Sequence, residues 1–331
     1  MDVRREVALV FPGQGAQQPR MGADLYGADP AFTSLLDEFF AASGAEGARL
    51  RDDWLSAHPG PEFDDCSRAQ PLLFAVGAAL AAAVIARGLR PAVLVGHSVG
   101  ELAAAAVAGV FSVAEGSRVM AARTTAMAET EPGGMLAVAA SADRIREALG
   151  GDLAGHGVAV AAVNSPYQTV LSGGETALRA AERTLTAQVV ACRPVKARQP
   201  FHSPLCADAA IRFRDLLKDV ELRPPALTIR STCTARDVTA AESVTPEFWS
   251  AQLARPVLFW PAMDDLLTSG TRVYLEAGPK GSCAAVLQLH PAVQNGRNVV
   301  LPLLPATPGS DPRATRHLFD ESVSTALAMT A

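Results

Sequence analysis

The segment Gly96–Gly100 reads GHSVG and matches the pattern G-x-S-x-G, which is typical of a serine nucleophile on a sharp turn. A predicted strand, Ala92–Val95, precedes the segment, and an Ala-rich predicted helix follows from Glu101. Such a turn presents the Ser98 hydroxyl above a sheet edge and aims the first N–H groups of the helix at the same point. The pattern predicts attack of Ser98 on an acyl carbon. The alternative is a tight turn with a structural role only.

A serine hydroxyl needs a base, because it is a weak nucleophile at its own pKa. Of the six histidines, His202 lies in the tetrapeptide FHSP, where the chain returns from a predicted inserted segment (132–196). We predict that His202 faces the cleft between the two parts and is the base; otherwise it is a structural residue. His97 is expected to point away from Ser98 and to pack or bond locally. His290 would be the base of an ordinary α/β-hydrolase.

A glycine-containing loop, Phe11–Gln17 (FPGQGAQ), follows the first predicted strand. Its glycines let backbone N–H groups approach a ligand closely. The loop lacks G-x-G-x-x-G and G-K-[ST], which disfavours a nucleotide phosphate site. The N–H group of Gln14 is a candidate donor to an oxyanion on the substrate.

The elements that position these residues indicate an α/β fold. Apolar runs at Val7–Phe11 and Ala92–Val95 predict strands buried on both faces, and helical patterns alternate with them. After Gly134 the predicted order is β-α-β-β-α-β, with a last strand at Val189–Pro194, which is typical of a ferredoxin-like unit. The sequence thus predicts a large α/β-hydrolase-like subdomain (1–131 and 197–331) with an inserted ferredoxin-like small subdomain (132–196).

Composition narrows the function classes. The chain has 331 residues, a net charge of −5 and 49% apolar residues, which disfavours intrinsic disorder and nucleic-acid binding. Five cysteines without a C-x-x-C spacing predict neither a disulfide framework nor a metal site. The apolar run Leu72–Ala86 has 15 residues, fewer than the about 20 of a membrane span, and predicts a buried helix. The apolar stretch near the N-terminus is too short for a signal peptide, so a cytoplasmic location without membrane association is expected.

Six motifs together carry a family resemblance. They are FPGQGAQ (Phe11–Gln17), GHSVGE (Gly96–Glu101), Arg123, VNSP (Val163–Pro166), FHSP (Phe201–Pro204) and EAGP (Glu276–Pro279). In these residues and their order the chain resembles the malonyl-CoA:acyl-carrier-protein acyltransferase family, and most of all a free-standing acyltransferase of polyketide synthases. The absence of ketosynthase and carrier segments within 331 residues leads us to expect action in trans.

The resemblance implies roles for the nucleophile and its base. Ser98 would be acylated by a thioester, and His202 would act as general base and then protonate the leaving thiol. The family has no triad aspartate, so a main-chain carbonyl would orient His202. Alignment back from the EAGP motif places that carbonyl near Ser269.

The resemblance also implies groups that bind the substrate. The backbone N–H groups of Gln14 and Val99 would stabilise the oxyanion, and Arg123 would pair with the free carboxylate of a malonyl-type group. A planar guanidinium suits this role because it binds a carboxylate through two parallel hydrogen bonds.

The residues before the base bear on the acyl unit. Phe201 resembles the malonyl-selective pattern H-A-F-H, in which a bulky ring leaves no room for an α-methyl group. Here the tetrapeptide is QPFH, so Gln199 and Pro200 depart from that pattern. An unusual malonyl derivative, or an acyl group on a carrier, remains open.

The implied reaction moves a malonyl-type group from CoA to the phosphopantetheine thiol of an acyl carrier protein by a ping-pong mechanism, with no bound cofactor. The alternatives are transfer of another acyl group between carriers and a proofreading thioester hydrolase. Carrier proteins are typically acidic, whereas this chain is net negative, so docking needs a local basic patch. We expect that patch at Arg193, Lys196 and Arg198.

Overall fold

The structure is a computed structural model that describes residues 4–307 and 312–331. Its strands form two sheets. In chain order the strands are β1 (Glu6–Phe11), β2 (Pro91–Gly96), β3 (Gly134–Val138), β4 (Val158–Ser165), β5 (Gln168–Gly173), β6 (Cys192–Val195), β7 (Thr228–Arg230), β8 (Arg272–Glu276) and β9 (Val299–Pro302).

Helices cover both sheets. They are α1 (Pro30–Ala42), α2 (Gly44–Leu55), α3 (Cys66–Ala86), α4 (Gly100–Val107), α5 (Val113–Ala128), α6 (Ala142–Ala148), α7 (Glu175–Ala187), α8 (Ala207–Leu217), α9 (Ala240–Ser243), α10 (Pro246–Ala251), α11 (Phe259–Ser269), α12 (Ser282–Leu287), α13 (Pro291–Gln294) and α14 (Pro312–Thr330). Two short 3₁₀ helices span Pro61–Asp64 and Pro204–Cys206.

The larger sheet is parallel throughout and has the strand order β7-β2-β1-β8-β9. Strand β1 lies at its centre, and Val7–Phe11 are all buried, as expected for a strand covered by helices on both faces. The carboxyl ends of β1 and β2 lie side by side, because Phe11 pairs with Gly96. The FPGQGAQ loop and the GHSVG turn therefore leave the sheet at the same edge.

Helix α3 is the core helix of the larger part. It is long and apolar enough to span a membrane, but 83% of its apolar window is buried inside the protein. Its many alanines allow α1, α4 and α5 to pack closely around it. The prediction of a buried helix is confirmed.

The smaller sheet is antiparallel throughout, with the order β4-β5-β3-β6. Helices α6 and α7 complete the β-α-β-β-α-β order, and α7 buries Leu178, Ala181 and Leu185 against the sheet. The predicted α/β class with a ferredoxin-like insert is confirmed. The subdomain limits at 132 and 196 stay a prediction.

One strand lies later than predicted, and several helices, among them α1 and α2, were not predicted. Strand β6 starts at Cys192, whereas Val189 has a φ of +62° and Val190 donates its N–H to Leu185 O at 3.0 Å. This left-handed turn ends α7 and delays the strand. Helices α1 and α2 had no motif to mark them and were not predicted.

Main-chain hydrogen bonds join the smaller sheet and its flanking residues to the larger part. Val163 N donates to Val257 O and Val257 N donates to Ala161 O, each at 2.8 Å, so a segment of the larger part pairs with β4. Gly133 N also donates to Arg198 O at 3.1 Å, where the chain enters and leaves the smaller sheet. These bonds connect the two parts, between which a cleft opens.

The crossing of β1 and α4 generates a stability prediction. A Cβ on Gly100 would lie 2.2 Å from Phe11 O, a main-chain atom that cannot move aside. Gly100→Ala is therefore expected to lower the free energy of unfolding by at least about 1–3 kcal/mol, measured by denaturant unfolding. The matched control is Gly174→Ala, where a Cβ would meet nothing within 4 Å and φ is −66°. Equal unfolding midpoints for the two variants would contradict this account.

Candidate active site

Ser98 lies on a strained turn between β2 and α4. Its φ is +54°, the left-handed region that non-glycine residues rarely adopt. Gly96 is needed beside it, because a Cβ there would lie 2.0 Å from Glu101 N. The result is a half-buried hydroxyl at the carboxyl edge of the parallel sheet, as the G-x-S-x-G pattern predicts.

His202 contacts Ser98 directly. Ser98 Oγ lies 2.7 Å from His202 Nε2, and the imidazole is almost fully buried. On the other side of the ring, Nδ1 lies 2.8 Å from Gln252 O and 3.0 Å from Arg255 O. Because carbonyl oxygens only accept, Nδ1 carries the proton and Nε2 is left as the acceptor for the Ser98 hydroxyl.

The prediction that the orienting carbonyl lies near Ser269 is wrong. Ser269 is the last residue of α11, whereas the two carbonyls belong to the segment that follows α10. That segment folds over His202, and His202 N donates to Leu253 O at 2.8 Å. The alignment from the EAGP motif at the end of β8 placed the orienting carbonyl at the end of α11, whereas it lies after α10.

His202 is held in its neutral form. Burial lowers the pKa of His202 to about 3, and the nearby Arg123 and His97 act in the same direction. The imidazole is therefore unprotonated across the physiological range and ready to accept a proton.

Two backbone N–H groups beside Ser98 have no partner. Within residues 4–307 and 312–331, neither Gln14 N nor Val99 N donates a hydrogen bond to the protein. The Gln14 loop approaches the Ser98 turn so closely that a Cβ on Gly13 would lie 2.7 Å from His97 O. Val99 directly precedes α4, where the helix dipole favours negative charge. The pair suits a developing oxyanion.

Arg123 lies on α5 and is fully buried. Its Nε donates to Gln70 Oε1 at 2.7 Å, but its two terminal nitrogens, Nη1 and Nη2, are buried and have no hydrogen-bond partner in the described protein. Burial lowers the pKa of Arg123 to about 10, so the group stays charged at neutral pH. A buried guanidinium with two free donors matches a carboxylate ligand, since buried donors are normally paired.

A chain of amides connects Arg123 to the oxyanion loop. Gln70 Nε2 donates to Gln14 Oε1 at 2.8 Å, and Gln14 Nε2 donates to Asp64 O at 3.2 Å. The position of Gln14 is thus tied to that of Arg123. Gln70 was not singled out from the sequence, because it lies before the apolar run Leu72–Ala86, in the same turn of α3 as Ser67 and Arg68.

A cavity of about 240 Å³ opens above Ser98 and His202, between the two subdomains. Phe201 lines it, as predicted, and small apolar side chains of the smaller sheet form the opposite wall: Met135, Ala137, Ala162, Val170 and Val195. Gln199 is not among the lining residues. It lies in a neighbouring groove beside Cys66 and Arg198, so the structure does not bring Gln199 to the serine.

His97 does not bond locally as expected. Its Nε2 lies 2.9 Å from Asn164 Oδ1 on β4, across the cleft. The turn directs His97 towards the smaller sheet, which the chain order alone did not reveal. Both residues line the cavity.

The three predicted docking residues are all exposed, but they differ in their surroundings. Arg193 lines both the cavity and a wide groove that opens to the surface. Lys196 Nζ pairs with Asp64 Oδ2 at 2.9 Å, across the cleft. Arg198 lines the groove that holds Gln199, and its side chain has no ion pair in the described part of the chain.

No group of three or more His, Cys, Asp or Glu residues that could hold a metal ion occurs in the described ranges. His290, the base of the alternative hydrolase arrangement, pairs instead with Asp264 at 3.0 Å. It also accepts the N–H of Ala292 at the start of α13, which is a structural role.

The profile of the acyl transferase domain family matches residues 8–304. Over 286 residues the chain is 32% identical to a phenolphthiocerol/phthiocerol polyketide synthase of Mycobacterium tuberculosis. That match covers 86% of this chain but only 19% of the synthase, so the chain spans less than a fifth of that relative's length.

Solved structures agree with this match. The acyl transferase domain of SpnD, in complex with 2-(pent-4-yn-1-yl)malonyl, superposes with a TM-score of 0.89 at 27% identity and covers 100% of this chain and 78% of that one. The malonyl-CoA:acyl carrier protein transacylase of Xanthomonas oryzae pv. oryzae superposes with a TM-score of 0.80 at 27% identity and covers 95% and 98%. The resemblance inferred from six motifs is confirmed, and this chain belongs to the acyl transferase domain family.

Proposed function

We propose that this enzyme transfers a malonyl-type acyl group from CoA to the phosphopantetheine thiol of an acyl carrier protein, in polyketide or fatty acid biosynthesis in the cytoplasm. The observation that carries the proposal is the buried Arg123, whose two terminal nitrogens lack partners close to the Ser98–His202 pair. A hydrolase for simple acyl chains has no use for a buried fork of this kind. The malonyl derivative bound by the related SpnD domain supports the same ligand class.

The first half of the reaction loads the serine. Ser98 Oγ attacks the thioester carbonyl while its proton passes to His202 Nε2. The carbonyl oxygen becomes an oxyanion that the N–H groups of Gln14 and Val99 stabilise. When the C–S bond breaks, His202 returns the proton to the CoA sulfur, and the acyl group remains on Ser98 as an ester.

The second half transfers the acyl group to the carrier. The phosphopantetheine thiol gives its proton to His202 and attacks the ester carbonyl, forming the oxyanion again. Collapse breaks the C–O bond to Ser98, which takes the proton back from His202. Atoms and charges balance over the cycle without a bound cofactor.

Two further parts of the proposal concern the architecture. We take residues 132–196 as the small subdomain and 1–131 with 197–331 as the large one, with the acyl group bound between them. The pantetheine arm enters beside β6, whose edge carries Arg193. Phe201 limits the space around the acyl carbon, whereas Gln199 would bind substrate only in the neighbouring groove.

Action in trans stays a prediction.

The acyl-enzyme itself is the direct test. With malonyl-CoA, intact mass spectrometry is expected to show a malonyl adduct that Ser98→Ala abolishes. Arg123→Ala is expected to slow malonyl loading by roughly 10²-fold, because the carboxylate loses a charge-assisted bidentate partner. Acetyl-CoA, which has no free carboxylate, is the control donor and should lose far less rate in Arg123→Ala, because only the indirect link from Arg123 through Gln70 to Gln14 is affected. Equal losses for both donors would contradict the role of Arg123, and rapid release of free malonate would identify a hydrolase.

The low pKa of His202 generates a pH prediction. His202 must be unprotonated to act as base. Because its pKa is about 3, the rate at which Ser98 reacts should be nearly constant between pH 8 and pH 5. A histidine with an ordinary pKa of about 6.5 would lose roughly 30-fold at pH 5. The measurement is labelling of Ser98 by a fluorophosphonate, which does not titrate in this range, with circular dichroism to verify folding. An acid limb centred near pH 6.5 would contradict the burial argument.

Carrier docking is tested on the residue farthest from the serine cavity. Arg198→Glu is expected to raise the KM for the carrier protein several-fold, because acidic carriers are steered by local positive charge. The matched control is Arg179→Glu, an exposed residue of α7 that pairs with Glu175 and lies on the helical face of the small subdomain. Steady-state transfer assays at low salt compare the two. Equal KM values would remove Arg198 from the docking surface.

A further inference from the structure

Glu101 is a buried carboxylate next to the nucleophile turn. It lies in the first turn of α4, three residues after Ser98, and is 1% exposed. Its carboxylate accepts hydrogen bonds from Thr232 N, from Cys233 N at 3.3 Å and from Gln252 Nε2. A buried carboxylate is tolerated when it is hydrogen-bonded in this way.

These contacts join three segments that are distant in sequence. One is the Ser98 turn, the second is the loop after β7 that contains Thr232, and the third is the segment after α10 that contains Gln252. Thr232 Oγ1 also donates to Gly96 O at 2.8 Å, which strengthens the link between the loop and the turn. Glu101 thus lies between the turn that carries Ser98 and the segment whose carbonyls contact His202.

Gln252 is the connecting residue. Its side-chain amide donates to Glu101, while its backbone carbonyl accepts from His202 Nδ1 at 2.8 Å. The contacts of the His202 ring in the described chain are Ser98 and two carbonyls, and none is a carboxylate. A chain of hydrogen bonds from the imidazole to the carboxylate of Glu101 therefore runs through Gln252.

Charge supports the same arrangement. Burial lowers the pKa of the nearby Arg123, and a negative charge on Glu101 acts against that shift, so an ionised Glu101 compensates part of the positive charge in a dry site. The donors that face Glu101 are N–H groups and the hydroxyls of Ser231 and Thr232, which favour its ionised form. Burial acts in the opposite direction and raises the pKa of Glu101 to about 7.

We propose that Glu101 is a positioning residue: it holds Gln252 so that the carbonyl of Gln252 keeps His202 Nε2 within 2.7 Å of Ser98 Oγ. The inference rests on the proposed Ser98–His202 chemistry, but not on the identity of the acyl donor. A purely structural role for Glu101 would change stability and leave the activation of Ser98 intact.

The experiment measures activation of Ser98 with a fluorophosphonate. Ser98 Oγ bonds to phosphorus, the P–F bond breaks, fluoride leaves and the serine proton passes to His202. Rates are measured below the unfolding transition of every variant. Glu101→Ala removes the carboxylate, and Gln252→Met removes the amide but keeps the orienting carbonyl. Each is expected to slow labelling roughly 10- to 100-fold, because small displacements of a catalytic group are costly.

Three further variants separate positioning from stability. Glu101→Gln should recover a rate within about threefold of wild type, since the new amide can donate to Gln252 Oε1, which is buried and unpartnered. The double variant Glu101→Ala with Gln252→Met should be no slower than the slower single variant. Asn298→Ala is the control: Asn298 is buried and bridges Arg272 N and Leu267 O far from the cleft, so its loss lowers stability without lowering the rate.

The outcomes are distinguishable. Wild-type labelling by Glu101→Ala or Gln252→Met, or losses that multiply in the double variant, would overturn the positioning role. If Glu101→Ala does not fold, the labelling rates of Glu101→Gln and Gln252→Met still test the positioning role. Absence of labelling in the wild type, or equal labelling of Ser98→Ala, would overturn the proposed nucleophile itself and the inference with it.

Discussion

The site depends on how closely main-chain segments approach at the carboxyl edge of the parallel sheet. Phe11 O and the start of α4 are separated by a space in which only a glycine fits, and Gly13 meets the Ser98 turn with the same closeness. His97 N donates to Phe11 O at 2.8 Å and locks the two loops together. This contact places the hydroxyl of Ser98 and the unpartnered N–H of Gln14 on one small surface.

Electrostatics at the site follows from burying several ionisable groups together. Arg123 keeps its charge in the dry interior and helps to keep His202 neutral, so the two groups cannot both be protonated at low cost. Glu101 partly offsets the positive charge, and a substrate carboxylate on the free nitrogens of Arg123 would offset the rest. The terminal nitrogens of Arg123, which have no partner in the described part of the chain, are thus a cost to the folded protein and the basis of the ligand selection that we propose.

Contacts between segments of both subdomains connect the two sides of the cleft. Main-chain bonds connect Val257 to β4, and the ion pair of Lys196 with Asp64 connects the residue after β6 to the 3₁₀ helix Pro61–Asp64. His97 and Asn164 connect the nucleophile turn to the wall of small apolar residues. The cavity is therefore lined by groups from both subdomains, and this would suit the proposed transfer, which must exclude water from an acyl ester.

Much of the fold and part of the site followed from the sequence. Local patterns are visible in a linear chain. They include the strand–turn–helix around Ser98, the buried helix α3 and the alternation of strands and helices in the insert. The pairing of Ser98 with His202 was also predicted, from a tetrapeptide at the end of the insert. The sequence by itself thus determined most of the elements around Ser98 and the choice of Ser98 and His202 as the proposed nucleophile and base.

Only the tertiary structure decided which groups orient and limit that chemistry. The carbonyls of Gln252 and Arg255 have no signature, because every residue has a carbonyl, and the alignment therefore placed the contact wrongly at Ser269. Gln199 proved to lie outside the cavity, His97 bonded across the cleft, and Lys196 was already paired. Each of these outcomes depends on how segments separated by tens of residues meet, and that meeting is set by packing rather than by any nearby residue.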